Sequence, residues 1–124
     1  MDSIATNDAP KAIGPYSQAV RAGNLLFTSG QIALDPATGN LVDGDFTAQA
    51  RRVFDNLEAV LAAAGASFSN VARATVYLTD LGNFQTLNAI YAEYMGDHKP
   101  SRSTVGVASL PKGAAVEIDL IAVL

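Results

Sequence analysis

Pro100-Ser101-Arg102-Ser103-Thr104-Val105-Gly106-Val107, followed by Leu110-Pro111-Lys112-Gly113 and then Val116-Glu117-Ile118, reads as two short strands joined by a proline/glycine turn. One arginine and one glutamate stand in otherwise apolar sequence. A guanidinium or a carboxylate in such surroundings needs a partner or a ligand, and the pair suggests a pocket for a small anionic molecule. Strand parity places Arg102 with Thr104 and Gly106, opposite Val105 and Val107, which suit a helix-covered core. Glu117 shares a face with Asp119, Ile121 and Val123. Structural ion pairs are the plainer account: Arg102 to Glu117 or Asp119, and Glu117 to Arg102 or Arg73.

Working outward, the order of elements follows from changes of hydrophobic period. Residues 1–15 are polar and punctuated by proline, so they are expected to be extended or loop. Tyr16 to Arg21 and Leu25 to Ile32 form a hairpin about Ala22-Gly23-Asn24. A second turn at Asp35-Pro36-Ala37-Thr38-Gly39-Asn40 leads into a short strand near Leu41-Val42. From Phe46 to Ala64 apolar residues recur every three or four positions, which predicts an amphipathic helix with Asp45 as N-cap and Gly65 as its stop. Val71 to Leu78 alternates, with Ala72, Ala74, Val76 and Leu78 on one face. Phe84 to Met95 predicts a second helix stopped at Gly96, and Arg102 to Ala108 and Ala115 to Val123 are the closing strands. The whole is one α+β domain over residues 1–124, a single mixed sheet with two helices packed on one face. The last strand is nevertheless apolar on both sides, so the second sheet face calls for another subunit.

Composition agrees with that and removes other classes. Charged residues are 16% of the 124 and hydrophobic residues 49%, against roughly 25% charged in an average domain. A net charge of -4 with a pI near 4.6 argues against a nucleic-acid partner, which requires a basic footprint. The absence of cysteine excludes thiolate nucleophiles, disulfides and zinc–thiolate sites. No apolar run approaches a membrane span and no secretion signal is visible at the start, so cytoplasmic residence and no membrane partner are expected. One histidine, His98, in what reads as a surface loop, gives no support for a metal cluster or a Ser-His-Asp triad, and no phosphate-binding fingerprint is present.

Four further residues invite a functional reading beside a structural one. Tyr16 follows Gly14-Pro15 and is either fixed at the mouth of a site or a core tyrosine. Ser29 and Gly30 close a strand, where a glycine admits a ligand or marks a bulge. Asn88 is a polar residue within the second helix, where an exposed face is the ordinary explanation.

Three blocks of this sequence resemble the RidA/YjgF family: Ala9-Pro10-Lys11-Ala12-Ile13-Gly14-Pro15-Tyr16-Ser17-Gln18-Ala19-Val20, Thr28-Ser29-Gly30-Gln31-Ile32, and the opening stretch from Pro100 to Ile118. The resemblance implies a chorismate-mutase-like fold and a homotrimer whose sheets line a central barrel, with ligand sites between subunits. It implies hydrolytic deamination of 2-imino and 2-amino-enoic acids, such as 2-iminopropanoate and 2-iminobutanoate, to 2-oxo acids and ammonia. Such a hydrolase removes the 2-aminoacrylate and related enamines that PLP enzymes release. Carried over, Arg102 grips the substrate carboxylate and Glu117 activates or orients water. Backbone near Ser29, Gly30 and Thr104 holds the imine and the water, while Tyr16 and Asn88 line the cleft. An imine is already electrophilic, so positioning and one proton handler suffice, without metal or cofactor. Two departures from the family pattern are Thr104, where many bacterial relatives carry cysteine, and the short 96–100 loop, with Lys99 where relatives often have phenylalanine. The alternatives are a non-catalytic 2-oxo acid-binding regulatory trimer, a ribonuclease or translation inhibitor, and a holdase-like chaperone.

Overall fold

A computed structural model describes residues 1–124. The strands are β1 (Asp2–Ile4), β2 (Ala19–Ala22), β3 (Leu25–Thr28), β4 (Val71–Leu78), β5 (Ser101–Gly106) and β6 (Val116–Val123), and the helices α1 (Phe46–Ala63) and α2 (Phe84–Met95). They build one six-stranded mixed sheet in the order β1-β2-β3-β6-β4-β5, antiparallel except for the β4–β5 pair. That parallel pair is joined by α2, the crossover a parallel connection demands. No helix is long and apolar enough to cross a membrane.

Both helices lie on one face, as the sequence predicts. Asp45 caps α1, its carboxylate accepting from the Ala48 N–H at 3.0 Å. Gly65, at φ 76°, supplies the left-handed residue that ends the helix. The buried stripe of α1, Val53, Phe54, Leu57, Val60 and Leu61, meets Ala74, Val76 and Leu78 of β4 and Val116, Ile118 and Leu120 of β6 in one core. Phe54 stacks on Tyr94 of α2 at 4.8 Å and meets Phe68 and Tyr91 edge-on. This aromatic cluster locks the two helices together.

The opposite face is open. Leu25, Phe27, Val105 and Val123 are each 36–42% exposed there, beside Ile121, Glu117 and Asp119 of β6. Nothing in the chain covers these apolar side chains.

Several local expectations need correction. Within the segment 1–15, expected to be extended or loop, Asp2–Ile4 is extended and adds an edge strand paired with Ala19–Arg21 that the element order from sequence did not count. Leu41 makes only an isolated bridge to Leu34. A bulge between Val71 and Arg73 reverses the alternation, burying Val71 and exposing Ala72. The most consequential change concerns β5. Arg102 stands opposite Ala74 and Thr104 opposite Val76, both core-facing residues of β4. Arg102, Thr104 and Gly106 therefore lie on the helix side and Val105 on the open side, the reverse of the parity assigned from sequence.

Candidate functional site

The site residues named from sequence fall into two groups on opposite faces of the sheet. The first group surrounds Glu117. Between Thr28 and Gln31 the β3 backbone leaves its register: the Thr28 hydroxyl accepts from the Leu120 N–H, and pairing resumes only with Gln31 and Ile118. The extra residue is a bulge at Ser29-Gly30. The Ser29 hydroxyl donates to the Ser17 carbonyl, and no hydrogen bond within the chain uses the Gly30 N–H. Gly30 lies directly against Glu117, since a Cβ there would stand 2.5 Å from Oε2. Any larger residue would push that carboxylate aside.

Glu117, Gly30, Ser29 and Tyr16 line one cleft of about 480 Å³, with Gln18, Lys11 and Lys112 among its other walls. Tyr16 is half exposed and its hydroxyl accepts from the Ile13 N–H at 3.4 Å, so it is not a core tyrosine. The loop bearing Pro10 and Lys11 is pinned from behind by Gln18. The Gln18 amide donates to the Thr6, Ala9 and Pro10 carbonyls and accepts from the Thr6 N–H. Asn56, fully buried on α1, does the same for the far wall by donating to the Leu34 carbonyl at 2.9 Å.

Glu117 has neither an ion pair nor a hydrogen bond within the chain. Burial pushes its carboxyl above the usual value, and the neighbouring Asp119 charge adds to the rise. Asp119 is also raised by burial, opposed by the hydrogen bond it accepts from the Tyr77 hydroxyl at 3.2 Å. Arg73, offered from sequence as a partner for Glu117, donates to Ser103 instead.

The second group surrounds Arg102. Its guanidinium makes no ion pair, and the chain's one salt bridge joins Arg51 to Glu93 on the outer helix surface. Structural pairing of Arg102 with Glu117 or Asp119 is therefore excluded within one chain, because they project from opposite faces. Arg102 instead lies over the rings of Tyr91 and Phe84 of α2, at 4.8 and 5.6 Å from their centroids. Around it, Asn88 Oδ1, Tyr91 Oη and Thr104 Oγ1 are buried without any hydrogen-bond partner. Native interiors seldom leave such atoms unmet, and these three fall together on α2 and β5. Asn88 is thus not on an ordinary solvated helix face. His98 is tied down, its Nε2–H donating to the Val71 carbonyl at 2.6 Å.

The roles of Phe84, Tyr91 and Lys112 were not legible in the sequence. The two aromatic residues sit at i and i+7 about Asn88, a stripe that merges with the apolar core stripe of α2.

Residues 6–124 match the protein-family model described as Endoribonuclease L-PSP. Over 120 residues the chain is 47% identical to the 2-iminobutanoate/2-iminopropanoate deaminase of Bos taurus, covering 97% of this chain and 88% of that protein. The crystal structure of RidA from the Antarctic bacterium Psychrobacter sp. is similar at a TM-score of 0.96 and 44% identity, over the whole of both chains. The chain belongs to the RidA/YjgF family. E. coli TdcF with bound serine is also similar to this RidA/YjgF member, at a TM-score of 0.95 and 43% identity, over 100% of this chain and 99% of that one. Other relatives bear RutC-family names that state no activity.

Proposed function

We propose that this chain hydrolyses 2-imino acids such as 2-iminopropanoate and 2-iminobutanoate, and the 2-amino-enoic acids that tautomerise to them, giving 2-oxo acids and ammonia. The active site forms between two copies of a homotrimer. One observation carries this reading: Arg102 and Glu117 leave opposite faces of one sheet, each unpaired and each facing an incomplete pocket. Stacking the open apolar face on a second copy brings the two kinds of half-site together and covers Phe27, Val105 and Val123.

In this composite site Arg102 forks the substrate carboxylate through two N–H···O bonds. Backbone near Thr104 and the Gly30 N–H supply the remaining polar contacts, and Tyr16 and Asn88 form walls. Water oxygen bonds to C2 of the protonated imine while Glu117 takes a water proton. The carbinolamine then collapses: nitrogen takes the proton back from Glu117, the C2–N bond breaks as the hydroxyl oxygen closes the C2=O bond, and the hydroxyl proton passes through Glu117 to the departing ammonia, so that the 2-oxo acid and ammonium leave. A carboxyl raised by burial suits both steps, being a stronger base than an ordinary carboxylate and still able to return the proton. The amino-enoic acids themselves, as released by PLP enzymes, would be removed before they cause enamine damage.

A binding-only reading draws support from the serine held by TdcF. The two are separated by following 2-oxo acid release from imines generated by a PLP dehydratase acting on threonine. Wild type accelerates release, and Glu117→Gln and Arg102→Ala each lose about a hundredfold or more. Equimolar co-assembly of these two inactive variants restores about a quarter of the sites if each needs residues from two copies. No acceleration by wild type leaves the binding reading. No recovery on mixing overturns the composite site.

A further inference from the structure

We infer that Tyr91 and Phe84 are positioning residues for Arg102, an aromatic cradle that stands in for the acidic partner a half-buried arginine otherwise takes. This rests on the carboxylate-clamp reading of Arg102. An aspartate or glutamate beside the guanidinium would fix it, but would also occupy its donors and neutralise its charge. Ring faces hold a cation through their quadrupole and leave the N–H fork unspent. The geometry meets this description: guanidinium carbon 4.8 Å from the Tyr91 centroid and 5.6 Å from that of Phe84, with no ion pair.

Two features strengthen the assignment. Arg102 is on the outermost strand, so β4 steadies its backbone from one side only, and a long unpaired side chain there has much rotamer freedom to lose on binding. Phe84, Asn88 and Tyr91 recur at i, i+4 and i+7, so the two rings and Asn88 share one side of α2, next to the Leu87 and Ile90 core stripe. Burial also raises the Tyr91 phenol, against the pull of Arg102, so the ring stays neutral and keeps its π-face.

The test measures 2-oxobutanoate affinity by calorimetry, with kcat and KM for 2-iminobutanoate, in wild type, Tyr91→Leu, Tyr91→Phe, Arg102→Ala and the Tyr91→Leu/Arg102→Ala double variant. Tyr91→Leu should weaken binding and raise KM about fivefold to thirtyfold, the range of a desolvated cation–π contact, with kcat little changed. Tyr91→Phe keeps the ring, loses only a hydroxyl without a partner, and should bind like wild type. In the Arg102→Ala background Tyr91→Leu should add nothing. Phe84→Leu, at a 40% exposed position, gives the same readout should Tyr91→Leu fail to assemble. Unchanged affinity in the leucine variants beside a weakened Arg102→Ala overturns the cradle alone. Equal weakening with and without Arg102, or a Tyr91→Phe as damaged as Tyr91→Leu, also overturns it. An Arg102→Ala that binds as tightly as wild type removes the clamp reading, and the cradle with it.

Discussion

Replacing Gly30 by alanine drives a methyl group into the Glu117 carboxylate. The new Cβ would stand 2.5 Å from Oε2, 2.8 Å from Cδ and 3.1 Å from Cγ, whereas ordinary contact begins near 3.4 Å. The backbone at residue 30 is not left-handed, so alanine itself is unstrained, and the atoms in the way are the free end of a flexible side chain. The fold therefore survives by letting Glu117 swing aside. Alanine also stiffens the unfolded chain, which contributes about 0.4–1 kcal/mol in favour of folding, so thermal stability should stay within about 1 kcal/mol of wild type. Activity should not survive so well. A displacement of about 1 Å at a group that must meet the attacking water costs on the order of a hundredfold in rate. The assay is 2-oxobutanoate release in the dehydratase-coupled reaction, run beside a melting curve and 2-oxobutanoate affinity. Expected are a near-normal melt, retained affinity and a rate down about a hundredfold. A Gly30→Ala protein with wild-type turnover would refute the claim that the bulge sets Glu117 in its working position.

Two other outcomes follow from local physics. Lys112 holds φ 57° in the turn before β6, the one non-glycine residue in the left-handed region. Lys112→Gly should thus stabilise the fold by about 0.5–1 kcal/mol, measured as a higher melting temperature; an unchanged or lower value contradicts the strain. Glu117 holds its proton to higher pH in the folded state than at its usual value of 4.5. As pH rises from there the unfolded chain ionises first, so stability falls through that window and the loss is complete above the raised value. Glu117→Gln should then melt above wild type at pH 7.5 and lose that advantage at pH 4. An equal difference at both pH values would show that the carboxyl's charge is not the cause.

The parts of the fold that were legible in sequence are those with a long period or a strong punctuation mark. Helix α1 announced itself through eighteen residues of amphipathic spacing between Asp45 and Gly65, and α2 ended where Gly96 predicted. β1 left no such trace, because Asp2-Ser3-Ile4 is a three-residue edge strand held by backbone pairing, with Ile4 alone turned to the core and so no alternation to read. The face of Arg102 was misassigned because Val105 looks like core. On this outer strand Val105 instead faces outward on the open side of the sheet, while the arginine lies under α2 on an aromatic shelf that no strand alternation reveals. The bulge at Ser29-Gly30 was one of two readings in sequence, and the register shift between Thr28 and Gln31 decides it. Arg102, Glu117 and their neighbours were identifiable as residues out of keeping with their surroundings. Their distribution over two faces was not, since parity within a strand says nothing about which side its neighbours present.

The sheet order also divides the compliance of the proposed active site. Glu117 stands on β6, flanked by β3 and β4, while Arg102 stands on β5 with β4 as its only neighbour. Backbone at a sheet margin yields more readily than backbone in its middle. The carboxylate that must keep a fixed distance to the reacting carbon is thereby mounted on the stiff element, and the group that receives the constant end of every substrate on the pliant one. A substrate with a longer side chain can be met by a slight give at the margin, leaving the distance between water and carbon untouched.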